Sequence, residues 1–152
     1  MWFSRKQIVK TPVGSEARAA GTGQPGQITT KRLVADADSL ARDHLVRAGL
    51  KPLQANYRTP GRGGGEVDLI MRAPDGTLVF IEVRHRKSSS HGGAGASISA
   101  TKQRRLIFAA RHYLMRFATP PPCRFDVVLV EGGAEMPGGL TLQWLRGAFD
   151  AD

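Results

Sequence analysis

Two acidic side chains stand at matched places on the two arms of an inferred β-hairpin. They are Asp68 in Gly65-Glu66-Val67-Asp68-Leu69-Ile70 and Glu82 in Val79-Phe80-Ile81-Glu82-Val83-Arg84. The connection, Ala73-Pro74-Asp75-Gly76-Thr77, has the residues of a three-residue hairpin loop. Proline fixes φ at its first position, aspartate suits the second, and glycine supplies a left-handed third. Pairing Ala73 with Thr77 then puts Asp68 opposite Glu82, and Glu66 opposite Arg84. Side chains in such pairs stand about 5 Å apart at Cβ, where like charges repel unless a cation lies between them. Two carboxylates so placed suit a hard divalent ion, which for magnesium takes oxygen ligands at about 2.1 Å. The same spacing also suits a surface lattice of ion pairs, Glu66 with Arg84 and Asp68 with Arg72 or Arg86, each contributing under about 1 kcal/mol.

If a metal is held there, the chemistry is that of phosphate esters. Asp68 and Glu82 hold the ion, and the ion polarises the phosphate and acidifies an attacking water. Arg84, on the Glu82 face of its strand, is placed to stabilise charge growing on phosphorus. It cannot act as a base, because a guanidinium does not deprotonate in proteins. Two helical residues are candidates to join this set. Asp38 lies on the apolar side of the first expected helix and can add to a metal site, or can simply be a first-turn acid that suits the helix dipole. Lys102 precedes Leu106 by one helical turn; its ammonium either emerges near the carboxylates or snorkels to solvent.

Several other chemistries are disfavoured. His44, His85, His91 and His112 share no ligand spacing, and none pairs with the single cysteine, Cys123, so a zinc centre or Cys-His catalysis is not expected. Cys123 stands at the mouth of an apolar run and reads as a structural thiol. Gly61-Arg62-Gly63-Gly64-Gly65 lacks the Gly-Lys-Ser/Thr ending of a phosphate-binding P-loop and precedes a strand, not a helix. Asp126, between Phe125 and Val127 in an apolar run, is expected to pair with an arginine.

The elements that must position these groups follow from periodicity. Ala37, Ala41, Leu45 and Ala48 recur at helical spacing before Gly49, and Lys51–Arg58 reads as a strand. After the hairpin, residues 88–96 form a small-residue loop, and a helix from about Ser99 to Phe117 carries Leu106, Ala110, Tyr113, Leu114 and Phe117 on one stripe. Pro120-Pro121-Pro122 ends it. Arg124–Val130 is a nearly continuous β-branched run suited to a buried strand, and Leu140, Leu142 and Trp144 alternate in a final one. The expectation is an α/β fold with a mixed central sheet flanked by helices, comprising residues 33–152. Residues 1–32 read as a basic, disordered tail that cannot bury enough apolar surface to offset its ordering entropy.

Charge sets the partner class. Formal net charge is +9, from 22 Lys and Arg against 13 Asp and Glu in 152 residues, which favours a polyanion and nucleic acid first. No apolar run approaches a membrane span, Met1–Thr11 lacks the apolar stretch of a secretory signal, and one cysteine excludes an internal disulfide. A cytoplasmic protein without a membrane partner is expected. Arg62 in the glycine-rich loop, Arg86 at the end of the hairpin, and Arg104 and Arg105 on the second helix are the candidate contacts to a nucleic-acid backbone.

Taken in order, Gly65–Ile70, Phe80–Arg86, Lys102 to Leu114 and Arg124–Val128 resemble the YraN-like family. That family in turn resembles the PD-(D/E)XK nuclease superfamily of restriction enzymes and Holliday-junction resolvases. The resemblance covers residues 33–149 and implies a restriction-endonuclease-like core with Mg²⁺- or Mn²⁺-dependent cleavage of DNA. By position, Asp68 matches the first acid of the motif, Glu82 the second and Arg84 the lysine, while Asp38 stands where relatives carry a first-helix glutamate. Val67 replaces the proline, which does no chemistry. Arg84 keeps the charge of the lysine but removes a titratable amine, so either Lys102 supplies that amine or the site binds nucleic acid without cutting well. The resemblance therefore implies a metal-dependent endonuclease-like protein acting on branched or structured DNA, or else a nucleic-acid-binding protein that keeps the nuclease fold with little or no catalysis. Resolvase-like proteins commonly pair to address two strands, so a homodimer is also implied. A basic adaptor for an acidic protein is a third, weaker expectation.

Overall fold

A computed structural model describes residues 8–12, 30–86, 98–132 and 140–151. In chain order the elements are β1 (Ile8–Pro12), α1 (Thr30–Arg47), β2 (Lys51–Arg58), β3 (Glu66–Arg72), β4 (Leu78–Arg86), α2 (Ala100–Leu114), β5 (Cys123–Glu131) and β6 (Thr141–Phe149). The strands form one six-stranded sheet in the order β1-β6-β5-β4-β3-β2. β4 and β5 are parallel and every other neighbour is antiparallel. A parallel pair needs a crossover, and α2 provides it. The mixed sheet flanked by two helices is a restriction-endonuclease-like core.

Each face of the sheet has its own core. Ala37, Ala41 and Leu45 of α1 pack with Leu69, Met71, Val79, Ile81, Val128, Val130 and Trp144. Leu106, Ala109, Ala110 and Tyr113 of α2 pack with Ile70, Leu78, Phe80, Phe125 and Val127. Alternation along β4 thus sends Leu78 and Phe80 toward α2, and Val79 and Ile81 toward α1. Strands covered on both faces read as unbroken apolar runs, which is why β5 was legible as a buried strand. Fully burying a side chain such as Phe80 contributes about 1.5–3 kcal/mol.

Local signals place the elements. α1 ends in a Schellman motif: Gly49 (φ 101°) donates its N–H to Val46 O at 3.0 Å, and Leu50 donates to Leu45 O at 3.0 Å. The hairpin loop is closed by Ala73 N to Thr77 O at 2.9 Å and Gly76 N to Ala73 O at 2.9 Å, with Gly76 at φ 91°. The register follows as expected, from Arg72↔Leu78 to Leu69↔Ile81.

Three differences from the sequence reading stand out. Ile8–Pro12, inside the stretch read as a tail, pair with β6 along the sheet edge. α1 begins at Thr30, so Asp38 lies near its middle and not in its first turn. α2 stops at Leu114, short of Phe117. The glycine-rich segment 88–96, and residues 1–7 and 13–29 of the expected tail, lie outside the described residues. No helix among the described residues is long and apolar enough to cross a membrane.

Candidate functional site

The β3–β4 ladder stops at Leu69↔Ile81, one step before Asp68 and Glu82. There the strands part. The Val83 N–H donates to Asp68 Oδ2 at 2.9 Å, so a carboxylate takes the place of a backbone acceptor. The other side of β3 is irregular at the same level. Ala55↔Leu69 and Tyr57↔Val67 pair in register, and between them Asn56 has a left-handed φ of 51°. Val67 and Ile70 both face the α2 core while Leu69 and Met71 face α1, so two-residue alternation breaks at Asp68. The expected pairs Asp68 opposite Glu82 and Glu66 opposite Arg84 are thereby corrected: they lie beyond the end of the ladder, and the break turns the chain where the acid sits.

Glu82 follows regular alternation and faces α2. It is 3% exposed. Its Oε1 lies 2.6 Å from Lys102 Nζ. Lys102 is set there by the helix start, because Ser99 Oγ accepts from the Lys102 N–H at 3.2 Å and caps α2. A cation in the first turn opposes the helix dipole, and no acid on that turn offsets it. Lys102 is therefore held by Glu82 and not by its own helix.

The electrostatics show crowded negative charge. Burial, followed by the charge of Asp68, pushes Glu82 up to about 7, against the pull of Lys102. Burial, again followed by Asp68, pushes Asp38 up to about 6. Lys102 is raised, chiefly by its hydrogen bond to Glu82, with Asp68 and Glu66 also contributing. Lys102 is consequently an ammonium and a cation at this site, not a base. The charge of Asp68 thus acts on Asp38 of α1 and on Glu82 of β4, and Glu82 is in turn paired with Lys102 of α2.

The other sequence candidates are distributed as follows. Arg84 lines a cavity of about 350 Å³ with Ile98, Ser99 and Lys102. By alternation Arg86 shares the face of Glu82 and Arg84, two residues farther along β4. Arg104 and Arg105 are exposed on α2, Arg104 donating to Thr101 Oγ1 at 3.4 Å. Arg62 is exposed in the 59–65 loop. That loop is latched by Thr59, whose N–H donates to Gly65 O at 3.0 Å and whose Oγ1 accepts from the Gly65 N–H at 2.7 Å. Gly65 itself abuts α2: a Cβ there would lie 2.0 Å from the Arg105 carbonyl. Glu66 pairs with Arg58 at 3.4 Å across β2. Asp126, as expected, binds an arginine: Arg124 Nε donates to both its oxygens at 3.1 and 3.2 Å, joined by Trp144 Nε1 and the Gly147 N–H.

Asn56, Thr59 and Ser99 position this site and were not singled out from the sequence. An asparagine inside a strand was the available signal for Asn56, since it tolerates the left-handed region better than most residues.

The donor set, being all carboxylate with the Lys102 ammonium set against it, is of the kind a hard divalent ion takes. Among the described residues no three His, Cys, Asp or Glu side chains are gathered into a ready-made cage. Magnesium does not require one, because it keeps several waters and takes one or two carboxylates.

A family model described as "Uncharacterised protein family UPF0102" matches residues 37–130, from α1 through most of β5. The chain belongs to the UPF0102 family. This is the YraN-like family that the sequence resembles, and the match includes Asp38, Asp68, Glu82, Arg84 and Lys102. The chain is similar to a UPF0102 protein of Polaromonas sp. (strain JS666 / ATCC BAA-500), 64% identical with 99% of each chain covered. A UPF0102 protein of Polaromonas naphthalenivorans (strain CJ2) is 65% identical, again over 99% of each chain. One from Albidiferax ferrireducens is 64% identical over 82% of this chain and 93% of its own. UPF0102 relatives of matching length therefore extend over the whole core described above.

Proposed function

We propose that this protein is a metal-dependent endonuclease-like enzyme that hydrolyses phosphodiester bonds in branched or otherwise structured DNA. One observation supports the reading: where the β3–β4 ladder ends, the charge of Asp68 acts on both Asp38 and Glu82, and Glu82 is paired with Lys102. Asp68 and Glu82, assisted by Asp38, would hold Mg²⁺ or Mn²⁺. When bound, the ion supplies charge neutralisation at the phosphate and a more acidic water. The remaining work falls to this chain. The Lys102 ammonium and Arg84 border one cavity, where two cations can hold a phosphate and stabilise its developing charge. The Val83 N–H fixes the orientation of the Asp68 carboxylate. The net charge of +9 supports a nucleic-acid partner.

A second reading, a nucleic-acid-binding protein with little catalysis, is favoured by one specific feature. Arg84 stands at the lysine position of the motif, and the nearby lysine is held as an ammonium by Glu82. Both readings are tested by incubating the protein with a labelled four-way junction and a linear duplex, with and without Mg²⁺ or Mn²⁺. The enzyme reading expects metal-dependent junction cleavage that is lost in Asp68→Asn and Glu82→Gln while binding persists. Salt-sensitive binding with no cleavage by the wild type leaves the second reading. Cleavage that survives both substitutions overturns the proposed site.

A further inference from the structure

A row of side chains leads from the carboxylates onto the outward face of α2. Lys102, Arg105, Phe108 and Arg111 recur at every third position, so they form one ridge across the helix, with neighbours about 5–6 Å apart at Cβ. Lys102 starts the ridge on Glu82. Arg105 and Arg111 are exposed, and Phe108 between them is 54% exposed.

That ring is not needed for packing, since α2 already buries Leu106, Ala109, Ala110 and Tyr113 against the sheet. α2 contains no acid, so nothing on it offsets its arginines. The glycine-rich loop carrying Arg62 rests against the Arg105 carbonyl through Gly65. An exposed aromatic ring between cations is the arrangement that takes single-stranded nucleic acid, with phosphates on the cations and a base on the ring. Inside a duplex both faces of every base are already stacked, so only its two ends offer a base face to such a ring. A second copy of this chain would bring like charges together.

We propose that Phe108 is a stacking platform for an unpaired DNA base, with Arg105 and Arg111 holding the phosphates on either side. At 1.5 Å per residue, Phe108 lies about 9 Å along the axis from Lys102, roughly one to two nucleotides from a phosphate held there. The site therefore selects DNA with unpaired nucleotides beside the scissile position. This rests on the nucleic-acid partner proposed above but not on catalysis, so binding is measured in EDTA, where no cleavage contributes.

The experiment uses the full chain and fluorescence anisotropy with a labelled single-stranded 12-mer (a length of about 12 suffices for one such site) and the matching blunt duplex. Phe108→Ala is expected to weaken single-strand binding about tenfold and duplex binding little. Its salt slope stays unchanged, while that of Arg111→Gln falls. Phe108→Trp is expected to retain affinity and to lose indole fluorescence on binding. Equal single-strand affinity for Phe108→Ala and the wild type overturns the proposal, as does an unquenched Phe108→Trp. A Phe108→Ala variant that turns a dimer into a monomer in sedimentation, or wild-type binding to anionic vesicles in preference to the 12-mer, also overturns it by assigning the ring to another partner. Loss of cleavage with this binding pattern intact would refute the enzyme reading alone.

Discussion

Replacing Glu82 by glutamine is expected to make the metal-free protein more stable at pH 8. Glu82 is buried beside Asp68, and its proton affinity rises from an ordinary 4.5 to about 7 despite the Lys102 ammonium. An acid that holds its proton more tightly folded than unfolded stabilises the fold below its unfolded pKa. That stability is lost as pH rises through the folded value. The window here runs from about pH 4.5 to about pH 7. A shift of that size corresponds to about 3 kcal/mol at 1.36 kcal/mol per unit. Glutamine keeps an oxygen for Lys102 but forfeits a charge-assisted hydrogen bond, about 1 kcal/mol. A net gain of about 2 kcal/mol remains, or roughly 4–8 °C in Tm for a chain of this size. Urea unfolding in EDTA at pH 8 and pH 5 measures it, and the difference should nearly vanish at pH 5. A structural ion pair predicts the opposite sign, because removing one partner of a buried pair costs about 3–5 kcal/mol. A glutamine variant less stable than the wild type at pH 8 would refute the reasoning.

Three further outcomes follow from the geometry. Lys102→Met should tighten Mn²⁺ binding in calorimetry, because it removes the ammonium that competes for Glu82 Oε1; weaker binding would place Lys102 among the ion's supports. Asp126→Ala should destabilise the fold by about 3–5 kcal/mol, stranding Arg124, the Trp144 indole and the Gly147 amide, without changing metal binding. Burial pushes the Cys123 thiol up to about 11, so at pH 8 its reaction with a thiol reagent should be far slower than that of a free cysteine, becoming rapid only on unfolding in urea.

The hairpin was legible because its loop residues act locally: Pro74, Asp75 and Gly76 set the register without help from the rest of the chain. The buried run of β5 was legible for another reason, both faces of the strand being covered. What escaped were features decided at a distance. β1 exists through its pairing with β6, a strand far along the chain, and nothing in Ile8–Pro12 signals an available edge. The break at Asp68 lies level with Asn56 in the neighbouring strand, whose left-handed backbone no signal local to Asp68 announces. Asp38 passed for a first-turn acid because the sequence places the start of α1 too late, and a mid-helix acid loses its dipole explanation. For Lys102 both fates, snorkelling or meeting the carboxylates, were open; the cap at Ser99 and the reach to Glu82 decide between them.

The ammonium resting on Glu82 also bears on how the chain lives without metal. A small zinc domain stays unfolded until its ion arrives, because nothing else quiets its ligands. Here α2 carries its own tethered counter-charge to the acidic corner, so that corner can close as soon as the helix docks. Under the proposed metal-dependent chemistry, scarcity of divalent ions would silence such a protein without dismantling it, and supply would restore function with no need to refold.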